Sequence, residues 1–128
     1  MGAVFEHPVV VRWRDVDAFG HVNNAVFLTY LEEGRDAFYE QVLGDPDYVL
    51  ARAEIDWRAE VRYLDKQVSV RLEIERLGRT SLITRETILT PSGELAVQAR
   101  VVTVRWDATA HKSVPFTAPE RARLGPYL

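Results

Sequence analysis

Apolar and polar residues alternate along most of this chain, and one segment follows a helical period instead. A short alternation from Val9 to Trp13 predicts a first strand, which ends at Asp15. From about Asn24 to Leu43 the apolar positions recur at the spacing of one helix face, which predicts one long helix. The predicted buried stripe of this helix comprises Phe27, Leu31, Gly34, Phe38 and Val42, with Leu28 and Tyr39 beside it.

The end of this helix is predicted by Gly44, Asp45 and Pro46, because glycine tolerates the left-handed cap and proline cannot continue the helical ladder. Every odd position from Val49 to Tyr63 is then apolar. Such a long alternation predicts a strand that must curve or bulge.

Three further strands are predicted over residues 68–74, 80–89 and 94–106, and turn residues separate them. A capping-box pattern at Thr117 and Glu120 predicts a short terminal helix. The fold class is therefore α+β, in which a largely antiparallel sheet of five strands curls around one long helix.

This architecture makes three packing predictions. The odd-numbered face of the strand from Val49 should meet the apolar stripe of the helix, and Gly34 should let a strand approach the helix closely. The other face of the sheet is mixed in character, with Val102, Val104 and Trp106 on the last strand, so we expect a partner subunit to cover part of it.

The length of 128 residues, with 47% hydrophobic positions, favours one domain spanning residues 1–128. The sequence contains no cysteine, which excludes a disulfide framework, a thiolate zinc site and a cysteine nucleophile. Residues 1–8 lack a signal-peptide pattern, and no apolar run approaches the length of a membrane span. We therefore expect a soluble, cytoplasmic protein with no membrane partner.

The distribution of charge argues against nucleic acid as a partner. The net charge is -3 and the two signs are interleaved, so no basic tract predicts binding to nucleic acid. Only Lys66 and Lys112 are lysines among the 16 basic residues, and arginine is the better bidentate ligand for phosphate. His7 and His111 have no paired metal-ligand spacing, so we expect no metal site.

The segment from Arg14 to Asn24 is the richest in chemical groups, with two carboxylates, a histidine and two amides between the first strand and the helix. One interpretation is structural, with an asparagine as N-cap, Gly20 as a turn and Asp15 as a loop carboxylate. The other is functional, because a helix N-terminus suits a developing oxyanion and an upstream carboxylate can attack or activate water. His21 is open to the same two interpretations, as a ligand of substrate or water or as a tether of the loop.

Residues 15–24, with the sequence DVDAFGHVNN, are followed by Tyr30, Leu31, Glu32, Glu33 and Arg35, and this pattern resembles the hot-dog-fold acyl-CoA thioesterases of the 4-hydroxybenzoyl-CoA thioesterase-like family. The similarity covers nearly the whole chain, including the central helix and the turn at residues 77–82. It implies a hot-dog fold and an active site built from two subunits. The expected assembly is therefore a homodimer, which pairs further into a dimer of dimers.

The resemblance also implies roles for individual residues. Asp17 matches the family's nucleophile or general base, and Asp15 is then mainly structural. The backbone N–H of Asn24 matches the group that polarises the thioester carbonyl, and His21 is a further catalytic candidate. Substrate-binding residues are expected at Asn23, Arg79 and Ser81, the last two of which match the family's phosphate contacts for coenzyme A.

The expected activity is hydrolysis of an acyl-CoA to free acid and coenzyme A, without a cofactor, since coenzyme A is part of the substrate. Ala18 stands where proline is usual in the 4-hydroxybenzoyl type, and this difference favours a fatty or short-chain acyl group. Two alternatives remain open, a thioesterase for acyl groups on acyl carrier protein and a non-catalytic acyl-CoA binder. Arg79 favours coenzyme A over the carrier protein, and Asp17 argues against a binder.

Overall fold

The computed structural model describes residues 2–44 and 46–128, and within them one antiparallel sheet packs against one long helix. The strands are β1 (Phe5–Val10), β2 (Tyr48–Trp57), β3 (Gln67–Leu77), β4 (Ser81–Leu89), β5 (Leu95–Asp107) and the two-residue β6 (Lys112–Ser113). The helices are α1 (Val26–Leu43) and α2 (Ala118–Leu124). The sheet order is β1-β3-β4-β5-β2, and β6 pairs with the end of β5. The predicted α+β class and its five long strands are confirmed.

Helix α1 buries the predicted stripe against the sheet. Phe27, Leu31, Gly34 and Phe38 are buried, whereas Leu28 is 44% exposed and lies off the stripe. Gly44 ends the helix in the left-handed region, and its N–H donates to the carbonyl of Glu40, as predicted. Asp45, the second predicted stop residue, lies outside the described residues. Among the described helices, none has the length and apolar content that a membrane span requires.

Gly34 sets the distance between α1 and the sheet. A Cβ atom at this position would lie 2.8 Å from Cβ of Val70 on β3, and closer still to its Cγ1. Because real Cβ atoms do not approach one another so closely, a larger residue would push the helix away from the strand. The predicted close approach is confirmed.

The first strand was predicted too late in the chain. It spans Phe5–Val10 instead of Val9 to Trp13, and the following residues turn into a short 3-10 helix, Trp13–Asp15. The turn forms because the Asp15 carboxylate accepts a hydrogen bond from the N–H of Arg12. Trp13 is 75% exposed as a result.

The second strand was predicted too long. It ends at Trp57 because the N–H groups of Arg58 and Ala59 both donate to the carbonyl of Ala96, which ends the regular pairing with β5. Residues 58–66 then cross the end of the sheet to reach β3. The predicted bulge is present, as a register shift between Leu50 and Arg52.

The predicted contact between the odd face of this strand and the helix is wrong for most of β2. Helix α1 lies over β1, β3 and β4, whereas β2 is at the edge of the sheet beyond the footprint of the helix. Ala51, Ala53 and Trp57 are exposed, and Ile55 is half-buried. A groove therefore opens between α1 and β2.

The two edges of the sheet differ in how they are protected. Edge strand β1 contains Pro8, which has no N–H to offer a further strand, and the N–H of Ala3 beside it bonds the carbonyl of Pro126. Edge strand β2 contains no proline and exposes Leu50 and Trp57. Only β2, of these two edges, is open to pairing along its length.

A buried ion pair joins α1 to the middle of the sheet. The guanidinium of Arg35 donates from Nε and Nη2 to the two carboxylate oxygens of Glu86 on β4, at 3.1 Å each. Thr84 donates a third hydrogen bond to Glu86. Burial lowers the pKa of Arg35, but the charge of Glu86 outweighs it and the pKa is raised, so the guanidinium stays charged. Because both groups are almost fully buried, this pairing orients α1 on the sheet.

We expect Gly34→Ala to destabilise the protein by about 2 kcal/mol, because overpacking against Val70 outweighs the roughly 1 kcal/mol that alanine gains in a helix. Urea unfolding measures the change. Gly125→Ala is the matched control, since Gly125 has helical dihedral angles and nothing within 4 Å of the added Cβ. If both variants are as stable as the wild type, α1 does not approach β3 as closely as described.

Candidate active site

A pocket of about 340 Å³ opens at the N-terminus of α1, where the loop after β1 meets the segment that follows β2. The residues that line it are Asp17, His21, Val22, Asn24, Phe27, Trp57, Arg58, Ala59 and Glu60. The structure thus brings together the three predicted catalytic residues, Asp17, His21 and Asn24. Trp57, Arg58 and Glu60 join them from a segment more than thirty residues further along the chain.

Asp17 is held in a tight turn that leaves one carboxylate oxygen free. Oδ1 accepts hydrogen bonds from the N–H groups of Phe19, at 2.9 Å, and His21, at 3.3 Å. The N–H of Asp17 donates to the carbonyl of His21, and Gly20 supplies the positive φ of 81° that the turn requires. Oδ2 has no partner among the described residues, so an exposed carboxylate oxygen is fixed at the pocket.

Asp15, two residues earlier, has the opposite environment. Its side chain is buried, and Oδ2 accepts hydrogen bonds from the N–H of Arg12, at 2.9 Å, and from the hydroxyl of Tyr30, at 2.7 Å. Its carbonyl accepts from the N–H of Asn23. Burial, together with the Asp15 hydrogen bond, raises the pKa of Tyr30 far above its ordinary range, so the hydroxyl remains a donor. The Tyr30 contact ties the start of the loop to α1, and the Asn23 contact joins the start of the loop to its end.

An unpaired backbone donor lies just before α1, at Asn24, which lines the pocket. The helix begins at Val26, two residues later than predicted, and the side-chain oxygen of Asn23 caps the preceding turn by accepting from the N–H of Ala25 at 3.0 Å. The N–H of Asn24 has no acceptor among the described residues, as is usual at a helix start. Trp57 donates from Nε1 to the carbonyl of Asn24 at 3.2 Å, which holds this residue against the end of β2.

Asn23 is not part of the pocket lining, because its side chain is engaged in this cap. Its expected role in substrate binding therefore stays a prediction. The structural interpretation of an asparagine here as a cap describes the observed contact.

His21 bonds a residue that sequence reasoning missed. Its Nε2 lies 2.8 Å from Oε2 of Glu60, and both side chains are partly exposed in the pocket. A backbone bridge between His21 and Arg62 aligns the two segments. Glu60 is one of several acidic residues at even positions of the long alternation, so no local pattern distinguished it from a solvent-facing residue.

Arg79 and Ser81 lie at the other end of the sheet. Arg79 belongs to the turn between β3 and β4, and Ser81 is the first residue of β4. The eleven residues of β3 separate this turn from the pocket by about 30 Å along the strand. Arg79 is exposed, and its carbonyl accepts from the N–H of Phe116. One chain therefore does not bring these two residues to Asp17, and their expected contact with coenzyme A stays a prediction.

Residues 2–44 and 46–128 contain no group of three or more histidine, cysteine, aspartate or glutamate side chains placed to hold a metal ion. The pocket supplies a carboxylate, an imidazole and a helix N-terminus. These groups can activate water and stabilise an oxyanion.

Comparison with known proteins shows the family to which the chain belongs. A family model described as the thioesterase-like superfamily matches residues 11–124. The long-chain acyl-CoA thioesterase FadM of Escherichia coli K12 is 24% identical over 124 residues, which cover 91% of this chain and 93% of FadM.

Two solved structures are similar over almost their whole length. A thioesterase from Thermus thermophilus, complexed with coenzyme A and Zn, is 31% identical with a TM-score of 0.83, covering 97% of this chain and 98% of that one. A predicted thioesterase from Bacillus stearothermophilus is 27% identical with a TM-score of 0.87, covering 98% and 97%.

The curled antiparallel sheet around one helix is thus the hot-dog fold of a thioester hydrolase. The chain belongs to the thioesterase-like superfamily, and the resemblance noted in its sequence is confirmed.

We expect Asp15→Ala to destabilise the protein by about 3 kcal/mol, because it leaves the Tyr30 hydroxyl and the Arg12 N–H without an acceptor. Asp65→Ala is the matched control. Asp65 accepts from the N–H of Arg62 in an equivalent turn but has no tyrosine partner, so its loss should cost about 1 kcal/mol. Urea unfolding of both variants tests the difference, and equal losses would contradict an anchoring role for Asp15.

Proposed function

We propose that this protein hydrolyses acyl-CoA thioesters to free acid and coenzyme A, with Asp17 as general base or nucleophile and the N–H of Asn24 as the oxyanion donor. The observation that carries this proposal is the free Oδ2 of Asp17 in the same pocket as the unpaired N–H of Asn24. The names of the relatives support the substrate class, since FadM is a long-chain acyl-CoA thioesterase and the Thermus enzyme was crystallised with coenzyme A.

The chemistry follows from these two groups. In the general-base route Asp17 takes a proton from water while the water oxygen adds to the thioester carbonyl carbon. The negative charge on the carbonyl oxygen is stabilised by the N–H of Asn24 and the positive end of the α1 dipole. The carbon–sulfur bond then breaks, its electron pair goes to sulfur, and coenzyme A leaves with the proton from Asp17. In the nucleophilic route the carboxylate itself attacks the carbonyl carbon, the carbon–sulfur bond breaks and coenzyme A leaves as the thiolate. Water then hydrolyses the resulting anhydride to the free acid and the Asp17 carboxylate, and the proton released goes to the thiolate.

The acyl chain has an apolar path away from this pocket. The groove between α1 and β2 is lined by Leu28 and Ile55, which lie one and two residues along the chain from Phe27 and Trp57 of the pocket. Its apolar lining residues are Leu28, Leu31, Leu50, Ala53, Ile55, Ala99 and Val101. Arg35, paired with Glu86, also borders it. An apolar acyl group buried here would lose its contact with water.

The groove borders the open edge of the sheet, which supports a homodimer. Two copies of β2 paired antiparallel about a two-fold axis would satisfy the free edge and cover Leu50. The second copy, related by this axis, would also cover the open side of the groove. The expected pairing of dimers into a tetramer has no comparable support from the residues of β2.

This dimer also resolves the separation of Arg79 from Asp17. Antiparallel pairing reverses the direction of the second sheet, so Arg79 of the partner subunit lies at the same end as Asp17. Three strand spacings, or about 15 Å, then separate it laterally from β2. An extended phosphopantetheine arm reaches across such a gap, so the nucleotide phosphates meet the partner's Arg79 while the thioester lies beside Asp17.

We expect Asp17→Asn to lower kcat by roughly 10²- to 10⁴-fold, because the amide can neither take the proton nor attack. Thiol release from acyl-CoA substrates of different chain length measures the loss. Asp107→Asn is the matched control, because Oδ1 of Asp107 also accepts from two backbone N–H groups in a turn but lies outside the pocket lining, and it should retain the activity of the wild type.

Folding is not at risk in Asp17→Asn, since the side chain is exposed and its Oδ1 can be replaced by the amide oxygen. A variant that folds, binds substrate and keeps more than about a tenth of wild-type kcat would show that Asp17 is not the chemical residue.

We expect inactive chains to complement one another. In a mixed dimer of Asp17→Asn and Arg79→Ala chains, one site combines an intact Asp17 with an intact Arg79 from the other chain, while the second site lacks both. Random pairing therefore restores about a quarter of wild-type activity at a substrate concentration too low for Arg79→Ala alone.

Co-expression with two affinity tags isolates the mixed dimer, which should have about half of wild-type activity because one of its two sites is intact. Activity no greater than the average of the two parent variants would mean that each site lies within one chain or that Arg79 does not bind substrate. Sedimentation of the wild type decides between these outcomes, since an active monomer excludes any shared site.

A further inference from the structure

We infer that Glu60 is a positioning residue, which holds the His21 imidazole by Nε2 so that Nδ1 accepts a hydrogen bond from the attacking water. This inference rests on the proposed function and adds to it a role for the pair. It takes the general-base route, in which a water molecule lies between His21 and Asp17.

The first support is the geometry of the pair. Nε2 of His21 lies 2.8 Å from Oε2 of Glu60, and both residues line the pocket that holds Asp17 and Asn24. A carboxylate accepts hydrogen bonds and does not donate them, so the ring proton is on Nε2. The Nδ1 atom of the neutral ring is then an acceptor. No group in the described part of the chain donates to it.

The second support is that the pair is not needed as a tether. The backbone already joins the loop to the crossing segment: the N–H of Val22 donates to Val61 at 2.7 Å, and the N–H of Tyr63 donates to Gly20 at 3.4 Å. An exposed side-chain pair adds little stability to such a backbone ladder. The ladder instead gives the imidazole and the carboxylate a fixed separation.

The arrangement suits a water molecule that donates one hydrogen bond to each of two acceptors. Oδ2 of Asp17 and Nδ1 of His21 each accept one hydrogen of the water, and the oxygen lone pair is then directed away from both, toward the carbonyl carbon. As the oxygen adds to carbon, the proton passes to Asp17 while His21 keeps its hydrogen bond. The other charged side chains near the ring are Arg58, which lines the pocket, and Arg62, which pairs with His21 through the backbone. Neither accepts a proton from water.

Steady-state kinetics of Glu60→Gln provide the first test. We expect kcat to fall about tenfold, as for outer partners that orient a functional histidine, with KM changed less than twofold and the thermal midpoint unchanged. Glu60→Asp keeps the carboxylate and should recover part of the loss. Glu6→Gln is the matched control, because Glu6 also forms an exposed ion pair, with Arg71, outside the pocket and away from β2. It should behave as the wild type.

A double-mutant cycle decides whether Glu60 acts through His21. In a His21→Asn background, Glu60→Gln should cause no further loss of kcat, since the ring it positions is gone. The inference is overturned if Glu60→Gln lowers kcat as much in that background as in the wild type, or if it leaves kcat unchanged. A lowered thermal midpoint with unchanged kcat would show that the pair is a tether.

The ring tautomer can be measured without turnover. The chain has three histidines, His7, His21 and His111, so ¹⁵N spectra of the imidazoles can be assigned with single variants. We expect the proton of His21 on Nε2 in the wild type and a mixture of tautomers in Glu60→Gln. A proton on Nδ1 in the wild type overturns the inference. This readout stays valid if Asp17→Asn proves active, so failure of the inference and failure of the proposed function are distinguishable.

Discussion

The site depends on the hydrogen bonds that the buried carboxylate of Asp15 accepts. One oxygen accepts from the backbone of Arg12 and from the hydroxyl of Tyr30, so a loop residue is joined to the second turn of the core helix. Asp17 follows in a second tight turn, in which its Oδ1 accepts from the N–H groups of Phe19 and His21 and its Oδ2 stays free at the pocket. Two identical side chains two residues apart thereby acquire different properties, one as an anchor and one as an exposed carboxylate.

The rest of the architecture follows from where the helix can lie. Gly34 brings α1 within contact of Val70 on β3, and the ion pair of Arg35 with Glu86 orients it. A helix centred there covers three strands and leaves β2 outside its footprint. The uncovered strand, β2, is also an edge strand without a proline. The placement of α1 over the other strands therefore leaves open both the apolar groove and the surface proposed for the second subunit. The proposed acyl groove and the proposed dimer interface therefore both depend on the position of a single helix.

The pocket illustrates which site residues can be predicted and which cannot. Asp17, His21 and Asn24 lie within eight residues of one another, and a tight loop at a helix start brings such neighbours together in almost any fold. Trp57 is the last residue of β2, and Glu60 lies in residues 58–66, which cross the end of the sheet. Both reach the pocket because β2 leaves β5 after Trp57. In the sequence both continue an alternation that indicates only a strand. Their place in the site is a consequence of tertiary contacts.

By itself the sequence determined the α+β class, the helix with its buried stripe, the close approach at Gly34 and the loop that lines the pocket. These depend on local periodicity, turn residues and a motif of adjacent positions, all of which are readable along the chain. Only the tertiary structure decided that β2 ends at Trp57, that its odd face stays exposed and that Arg79 lies about 30 Å along β3 from Asp17. The physical reason is that strand order and helix placement arise from packing between distant segments. A period of two residues records that a strand has two faces but not which of them the helix will cover.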